Sequence, residues 1–344
     1  MPARYVKNTG GLGTQSVSIM NHEQKHAIFA CTSNEKNSLR ESFLKIGRAH
    51  MKTPLPTVEG IGPSHLTLRG DRWKNILDYL EERFPDVKRA SWISRMNRGE
   101  VVDSKGLRLN TDSLFREGTC IFYYRELEGE PPIPFEESIL YQDSNILVVD
   151  KPHFLPVIPA GRFLHETLLV RLKKKLTLDD LVPIHRIDRE TAGIVIFSHN
   201  PATRGDYMSL FKKRKIEKVY EALAPTLPDG HFPMTHRSRV ARGEPFFRMK
   251  EIEGRLNSET RIDVLENMGE ITRYQLHPVT GRKHQLRVHL AALAIPIIND
   301  SLYPDVLPRA ADDFSLPLKL LARAISFQDP LTGQNRHFES NREI

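Results

Sequence analysis

The stretch His185-Arg186-Ile187-Asp188-Arg189-Glu190-Thr191-Ala192-Gly193 decides how the rest of the chain is read. It is polar, ends in glycine and runs directly into Ile194-Val195-Ile196-Phe197. That apolar run reads as a buried strand, and the nonapeptide before it as the loop that enters the strand. One carboxylate, Asp188, stands between two arginines with a histidine three residues upstream. Cations so placed keep a buried carboxylate ionised, and an ionised carboxylate is a nucleophile. Read alone, exposed Arg–Asp neighbours are common and weak, and a surface loop with a local ion pair is the simpler account.

A second dense stretch lies downstream: Gly281-Arg282-Lys283-His284-Gln285-Leu286-Arg287-Val288-His289. Leu286, Leu290 and Leu293 share one helical face, so Arg287 leaves the start of the helix on a different side from that apolar face. Between the two stretches, 201–211 reads as a helix running into Lys212-Lys213-Arg214-Lys215. The triplet Lys218-Val219-Tyr220 then opens a strand over 220–224. A basic run beside an aromatic residue suits nucleic acid as well as it suits a solvated helix end. Thr260 to Leu265 and Thr272 to Leu276 alternate polar and apolar, as antiparallel strands do. Leu316 to Phe327 is an apolar segment ending in a strand, followed by a turn at Asp329-Pro330.

Upstream of 185, Ile139-Leu140-Tyr141 and Ile146-Leu147-Val148-Val149 read as two strands about the turn 142–145, the second ending in Asp150-Lys151-Pro152. A helix is expected over 164–176. Pro131-Pro132-Ile133-Pro134 reads as a stiff connector to a smaller domain before it. There Ile76, Leu77, Leu80 and Phe84 recur at helical spacing until Pro85. A second helix covers Ala90 to Asn97, and strands follow at Val101-Val102 and Gly118 to Tyr124. Arg83, Lys88, Arg89, Arg95 and Arg98 are interspersed. This layout resembles the alpha-L RNA-binding fold of a small-subunit ribosomal protein. Residues 1–70 carry little pattern and read as a disordered extension (1–50) and a linker, Met51 being an alternative start.

The 344 residues suit two domains, and a net charge of +7 favours an acidic partner, nucleic acid first. Cys31 and Cys120 are the two cysteines, too few for a disulfide framework, so a reducing, cytoplasmic setting is expected. No apolar run approaches the ~20 residues of a membrane span, so no membrane partner is expected. The 14 histidines have no thiolate or carboxylate set at ligand spacing, so no metal is expected; His185, His284 and His289 read as hydrogen-bonded structural residues.

Four stretches, in order, resemble the RluA family of RNA pseudouridine synthases: Ile146 to Pro152, His185 to Gly193, Lys218-Val219-Tyr220, and Gly281 to His289. The likeness covers about 135 to 340. It departs from the family pattern at Ile187, Ala192, Lys283 and Leu286, none at a chemically active position. The resemblance implies an α+β fold, a mixed and largely antiparallel sheet over 128–344, preceded by a small α/β RNA-binding domain over 71–127. It implies an isomerase acting on uridines of structured ribosomal or transfer RNA, without a cofactor, and expected to be a monomer. In that family's terms Asp188 would be the nucleophile. Tyr220 would stack on the target base and help move the proton from ring carbon 5. Arg287 would pair with Asp188, and Arg186 would fill the space left by the flipped base. Lys218, Arg282 and His284 are expected to contact RNA. The competing expectation is a non-catalytic RNA-binding protein on the same fold. A nuclease or glycosidase ranks last, because only one acid stands in a candidate site.

Overall fold

A fully buried strand with three β-branched residues, a phenylalanine and a glycine near its start lies inside the larger sheet. The structure is a computed structural model that describes residues 53–127, 129–310 and 312–344. The expected extension over 1–50 lies outside the described residues.

The small N-terminal part contains strand β1 (Ser64–Thr67), helices α1 (Ile76–Arg83) and α2 (Arg89–Asn97), and strands β2 (Val101–Asp103) and β3 (Cys120–Tyr123). Its sheet runs β1-β3-β2, antiparallel throughout. The first strand falls inside the stretch read as linker, so the small domain begins before residue 71. Strand β1 is only four residues long, too short for its alternation to stand out from the Gly- and Pro-dotted sequence around it. Helix α1 starts where Asn75 Oδ1 accepts the Asp78 N–H at 2.8 Å. Its apolar face, with Trp92 and Met96 of α2, covers the small sheet.

The larger part carries β4 (Ser138–Gln142), β5 (Ile146–Lys151), α3 (Leu168–Leu176), β6 (Val182–Pro183), β7 (Ala192–Ser198), α4 (Arg204–Lys212) and β8 (Ile216–Pro225). Then follow β9 (Met234–Arg242), β10 (Met249–Ile252), β11 (Ser258–Asn267), β12 (Ile271–Pro278), α5 (Gln285–Ala292), β13 (Leu320–Gln328) and β14 (Asn335–Glu339). The sheet runs β10-β9-β11-β12-β8-β13-β7-β5-β4, with β14 beside β13 and β6 beside β7. Every pairing is antiparallel except β13 with β7. The expected α+β class with a mixed, mostly antiparallel sheet is what the chain forms.

The β7–β13 joint is where two halves of the sheet meet. Gly193 has φ 108°, and a Cβ there would run into the carbonyl of Ala322 on β13. Only glycine permits that approach, which explains the residue that ends the catalytic-looking loop. One core lies between β5, β7 and α3, and another beneath β8, β11, β12 and α5.

The proline-rich connector is pinned rather than free. Glu130 accepts the amides of Leu164, His165 and Glu166, and Arg171 donates to the carbonyls of Ile133 and Phe135. Ile61 and Leu127 pack on Leu164 and Val170, so the small part rests against α3, and all described residues fall in one compact unit. Among the described residues, no helix is long and apolar enough to cross a membrane.

Candidate active site

Three elements bring the two dense stretches together. The loop between β6 and β7 carries Asp188, strand β8 carries Lys218 and Tyr220, and the start of α5 carries Arg287. These residues, with Arg186, Arg282 and His284, line one cavity of about 120 Å³. A wider cleft of about 490 Å³ adjoins it and shares Arg186, Lys218, Tyr220 and Arg282. The seven residues expected at catalytic and RNA-contacting positions of the larger part, Arg186, Asp188, Lys218, Tyr220, Arg282, His284 and Arg287, therefore all border one cavity.

The Asp188 loop is anchored at both ends. At its start the Ile196 N–H donates to His185 Nε2 at 3.0 Å, and the ring stacks on Phe211 with centroids 4.6 Å apart. Burial, and then Lys218, push the imidazole down to about 3, so it is neutral and structural, as expected. At its end the buried Lys151 ammonium donates to the carbonyls of Pro152, Leu155 and Arg189 at 2.8, 2.9 and 3.1 Å. Three acceptors take all three hydrogens of an ammonium, although burial pulls its pKa well down. The Asp-Lys-Pro end of β5 thereby ties down the residue next to Asp188.

Arg287 is 2% exposed and fixed by more than its expected partner. Its Nε and Nη2 form a bidentate pair with Asp300 at 2.7 and 2.6 Å, and Nη2 also reaches Glu190 at 2.9 Å. Asp188 lies farther away, 3.7 Å from Nη1. The expected Arg287–Asp188 pairing is present but is the weakest of the three. Asp300 also accepts the Leu302 and Tyr303 amides, which sets its own orientation. Burial lowers the guanidinium pKa, and Asp300, Glu190 and Asp188 together more than reverse this. Neither Asp300 nor Glu190 stood out in the sequence. The one available signal was an acid following the apolar Ile297-Ile298, which a buried cation would require.

Around Asp188 the balance favours the carboxylate. Burial pushes its pKa upward, and His284, Arg287, Lys283 and Lys151 together bring it below the usual range. Its side chain remains 28% exposed, so the charged oxygens are reachable. His284 Nε2 is 3.8 Å from Oδ1, and burial pushes His284 down to about 4. Its Nδ1 lies 2.9 Å from the Tyr303 hydroxyl, which accepts the Met249 amide at 2.7 Å. The Tyr220 phenol is pushed up by burial and then by Asp188, so the hydroxyl is protonated at neutral pH and able to donate. Lys218 is pulled down to about 8 by burial and then by Arg214; its nearest acceptor is the Thr280 carbonyl at 3.5 Å.

The loop before α5 is shaped by Gln285. Its Oε1 accepts from the Thr280 hydroxyl and the Arg282 amide at 2.7 and 3.0 Å, while its Nε2 donates to Glu259 O and Thr260 Oγ1. This buried amide, fully satisfied, turns Arg282 and His284 toward the cavity.

The family model for RNA pseudouridylate synthase matches residues 145–292, the span that carries all of these side chains. The chain is 30% identical over 222 residues to the dual-specificity RNA pseudouridine synthase RluA of Haemophilus influenzae, covering 63% of this chain and 99% of that protein. It is 35% identical over 190 residues to human pseudouridylate synthase RPUSD2, 52% of this chain and only 33% of that one. Among solved structures it is similar to human RNA pseudouridylate synthase domain containing 1, with TM-score 0.50 and 26% identity over 62% of this chain and 86% of that one. With an ionised aspartate, a buried arginine and a phenol gathered at one opening, and with a near full-length relative at that identity, the chain belongs to the RluA family of RNA pseudouridine synthases.

Proposed function

We propose that this enzyme isomerises uridines in structured ribosomal or transfer RNA, with Asp188 as the attacking group. The observation that carries the reading is Asp188 itself: ionised, partly exposed, and backed by an arginine that cannot move. The reaction breaks the nitrogen–carbon glycosidic bond and makes a carbon–carbon bond from the same base to the same sugar. A carboxylate serves by attacking the sugar or the base ring, or by assisting departure of the base. The base must turn without escaping, which suits a small cavity walled by Tyr220, Leu286 and Leu320. The target uridine must first leave its stack, and Arg186, which borders both cavities, is placed to enter the gap. A proton leaves ring carbon 5 at the end. The protonated Tyr220 is a stacking platform that would give its proton to ring nitrogen 1, left bare by the broken bond, and the resulting phenolate would take the proton from ring carbon 5, which restores the phenol.

Lys218, Arg214 and Arg282 border the wider cleft, where the RNA strand on either side of the flipped base would run. The words dual-specificity in the Haemophilus relative's name fit an enzyme with more than one RNA target. A monomeric state belongs to the same proposal, and so does a cytoplasmic location, which rests on the low cysteine count. The non-catalytic alternative has no observation in its favour, since Asp188, Tyr220 and Arg287 are all present at one cavity. The test is incubation with uridine-labelled RNA, digestion, and chromatography of the nucleosides. Wild type yields pseudouridine; Asp188→Asn yields none while RNA affinity stays within about threefold, because the amide keeps the shape and removes the charge. Normal turnover by that variant would remove Asp188 from the chemistry.

A further inference from the structure

On the far side of α5 from the cavity, a second group of titratable side chains has no place in the chemistry above. His236 on β9, Glu251 on β10 and His289 on α5 each offer a ligand atom, and the three atoms lie within 4.8 Å of one another. We propose that His236, Glu251 and His289 form a binding site for a divalent transition cation of the zinc class. Their positions in sequence, 236, 251 and 289, show no ligand spacing, and only the folding of α5 against the β9–β10 edge brings them together.

The geometry supports a chelating set. His236 Nε2 is 2.9 Å from Glu251 Oε1, and His289 Nε2 is 3.9 Å from the same oxygen. Donors around a tetrahedral ion with bonds of roughly 2.0–2.1 Å stand about 3.4 Å apart, so the widest pair, at up to 4.8 Å, closes by up to about 1.4 Å, shared between two side chains, to complete the site. The two imidazole centroids are 4.7 Å apart with planes at 65°, so the rings meet edge to face rather than stacked. His289 is held from behind: Nδ1 lies 3.0 Å from Thr260 Oγ1, a hydroxyl that also takes the Gln285 amide. A second anchor of this kind is what orients a metal-bound histidine.

The Ser258 and Ser238 hydroxyls, 3.0 and 3.2 Å from His289 Nε2, hold that nitrogen here and would turn away from it when a cation takes the lone pair. His236 and Glu251 side chains are 19% and 25% exposed, which gives an ion and a water ligand a way in. Two imidazoles and one carboxylate suit zinc and its neighbours rather than calcium or magnesium, which take oxygen ligands. Arg287 and His289 are two residues apart on a helix, about 200° around its axis. An ion at His289 therefore stays away from Asp188 and clamps α5, which carries Arg287, to the β9–β10 edge of the sheet.

The experiment uses full-length, tag-free protein stripped with a chelator, then titrated with zinc chloride by calorimetry and by competition with a chromophoric chelator. His236→Ala and Glu251→Gln are titrated beside it, each checked by circular dichroism. Both replace partly exposed side chains, so the buried His289 is left in place. The expected result is one zinc per chain at micromolar Kd or tighter and a Tm raised by several degrees with zinc. Each variant should bind at least about tenfold more weakly. Cobalt(II) gives a second readout on wild type alone: intense visible absorption of a four-coordinate ion, bleached by zinc. The absence of a saturable site, an affinity in both variants equal to that of wild type, or the weak spectrum of six-coordinate cobalt would overturn the proposal. None of these outcomes depends on pseudouridine formation, so the site stands or falls apart from the catalytic reading.

Discussion

Asp300 is the residue on which the catalytic geometry turns, although it does not border the cavity. It holds Arg287 by two charge-assisted bonds, and Arg287 in turn faces Asp188. Asp300→Asn keeps the size and loses the bidentate pairing. It should lower turnover at saturating RNA by about 100-fold, the scale of a displacement of ~1 Å near reacting groups. RNA Kd should stay within about threefold; single-turnover rates beside a binding titration check both, and an equal loss in the two would make Asp300 a fold residue only. A pH effect belongs to this scale too. Lys218, brought down to about 8, is charged below that pH and neutral above it. Its contribution to phosphate binding is therefore present at pH 7 and is lost as pH rises through about 8. Bound phosphate shifts that midpoint upward by favouring the ammonium. Affinity should fall between about pH 7.5 and 9, and Lys218→Arg should remove the decline, since arginine does not titrate there.

The strand β7 shows how an element sets the site. Ala192 and Gly193 pair with Leu321 and Ala322 in the single parallel contact of the sheet, and the Asp188 loop enters at that point. The left-handed φ of Gly193 and the closeness of the Ala322 carbonyl leave no room for a side chain. Gly193→Ala should lower unfolding free energy by roughly 2–4 kcal/mol, from strain and overpacking together, and should displace Asp188. Denaturant titration reads the first effect and turnover the second. A variant as stable as wild type would mean that β7 and β13 slide apart at little cost. Helix α5 works in a similar way. Leu286 and Leu290 face the core, and Arg287, on another side, is buried as deeply among carboxylates. An amphipathic reading put that side away from the apolar core; buried acids make it a second interior.

At the scale of the whole molecule, the small N-terminal part is both docked and partly neutralised. Arg89 pairs with Asp78 and Glu81, Arg95 and Arg98 reach Glu126, and Arg98 also reaches Glu100. Arg95 is buried, with its guanidinium 4.7 Å from the Trp92 ring. Arginines already paired with acids release few counterions from RNA. Removing residues 1–127 should therefore flatten the log–log salt dependence of RNA binding by only about one or two phosphate contacts, at roughly 0.7–0.9 each. The same deletion uncovers Leu164 and Val170, so Tm should fall. Binding titrations at several salt concentrations, beside thermal melts, separate the two effects. An unchanged slope with a lower Tm would make this part a brace for α3 rather than an RNA module.

The sequence by itself determined the class of the protein. Alternation and β-branched runs marked β4, β5, β7, β11 and β12, because those signals are local and repeat at the period of the backbone, while Asp188, Tyr220 and Arg287 came from the likeness of 185–193, 218–220 and 281–289 to the RluA family. Strand β14, the short β1 and the parallel joint of β7 with β13 were not legible, since pairing depends on partners far along the chain. The same holds for the partners of the site. Asp300 meets Arg287, Lys151 meets the Arg189 carbonyl, and His236 and Glu251 meet His289 only after loops close. Residue type in a row predicts which way a side chain leaves its strand or helix. What it meets there is decided by burial, because a charge or imidazole taken out of water must find its partner among whatever the fold has brought alongside.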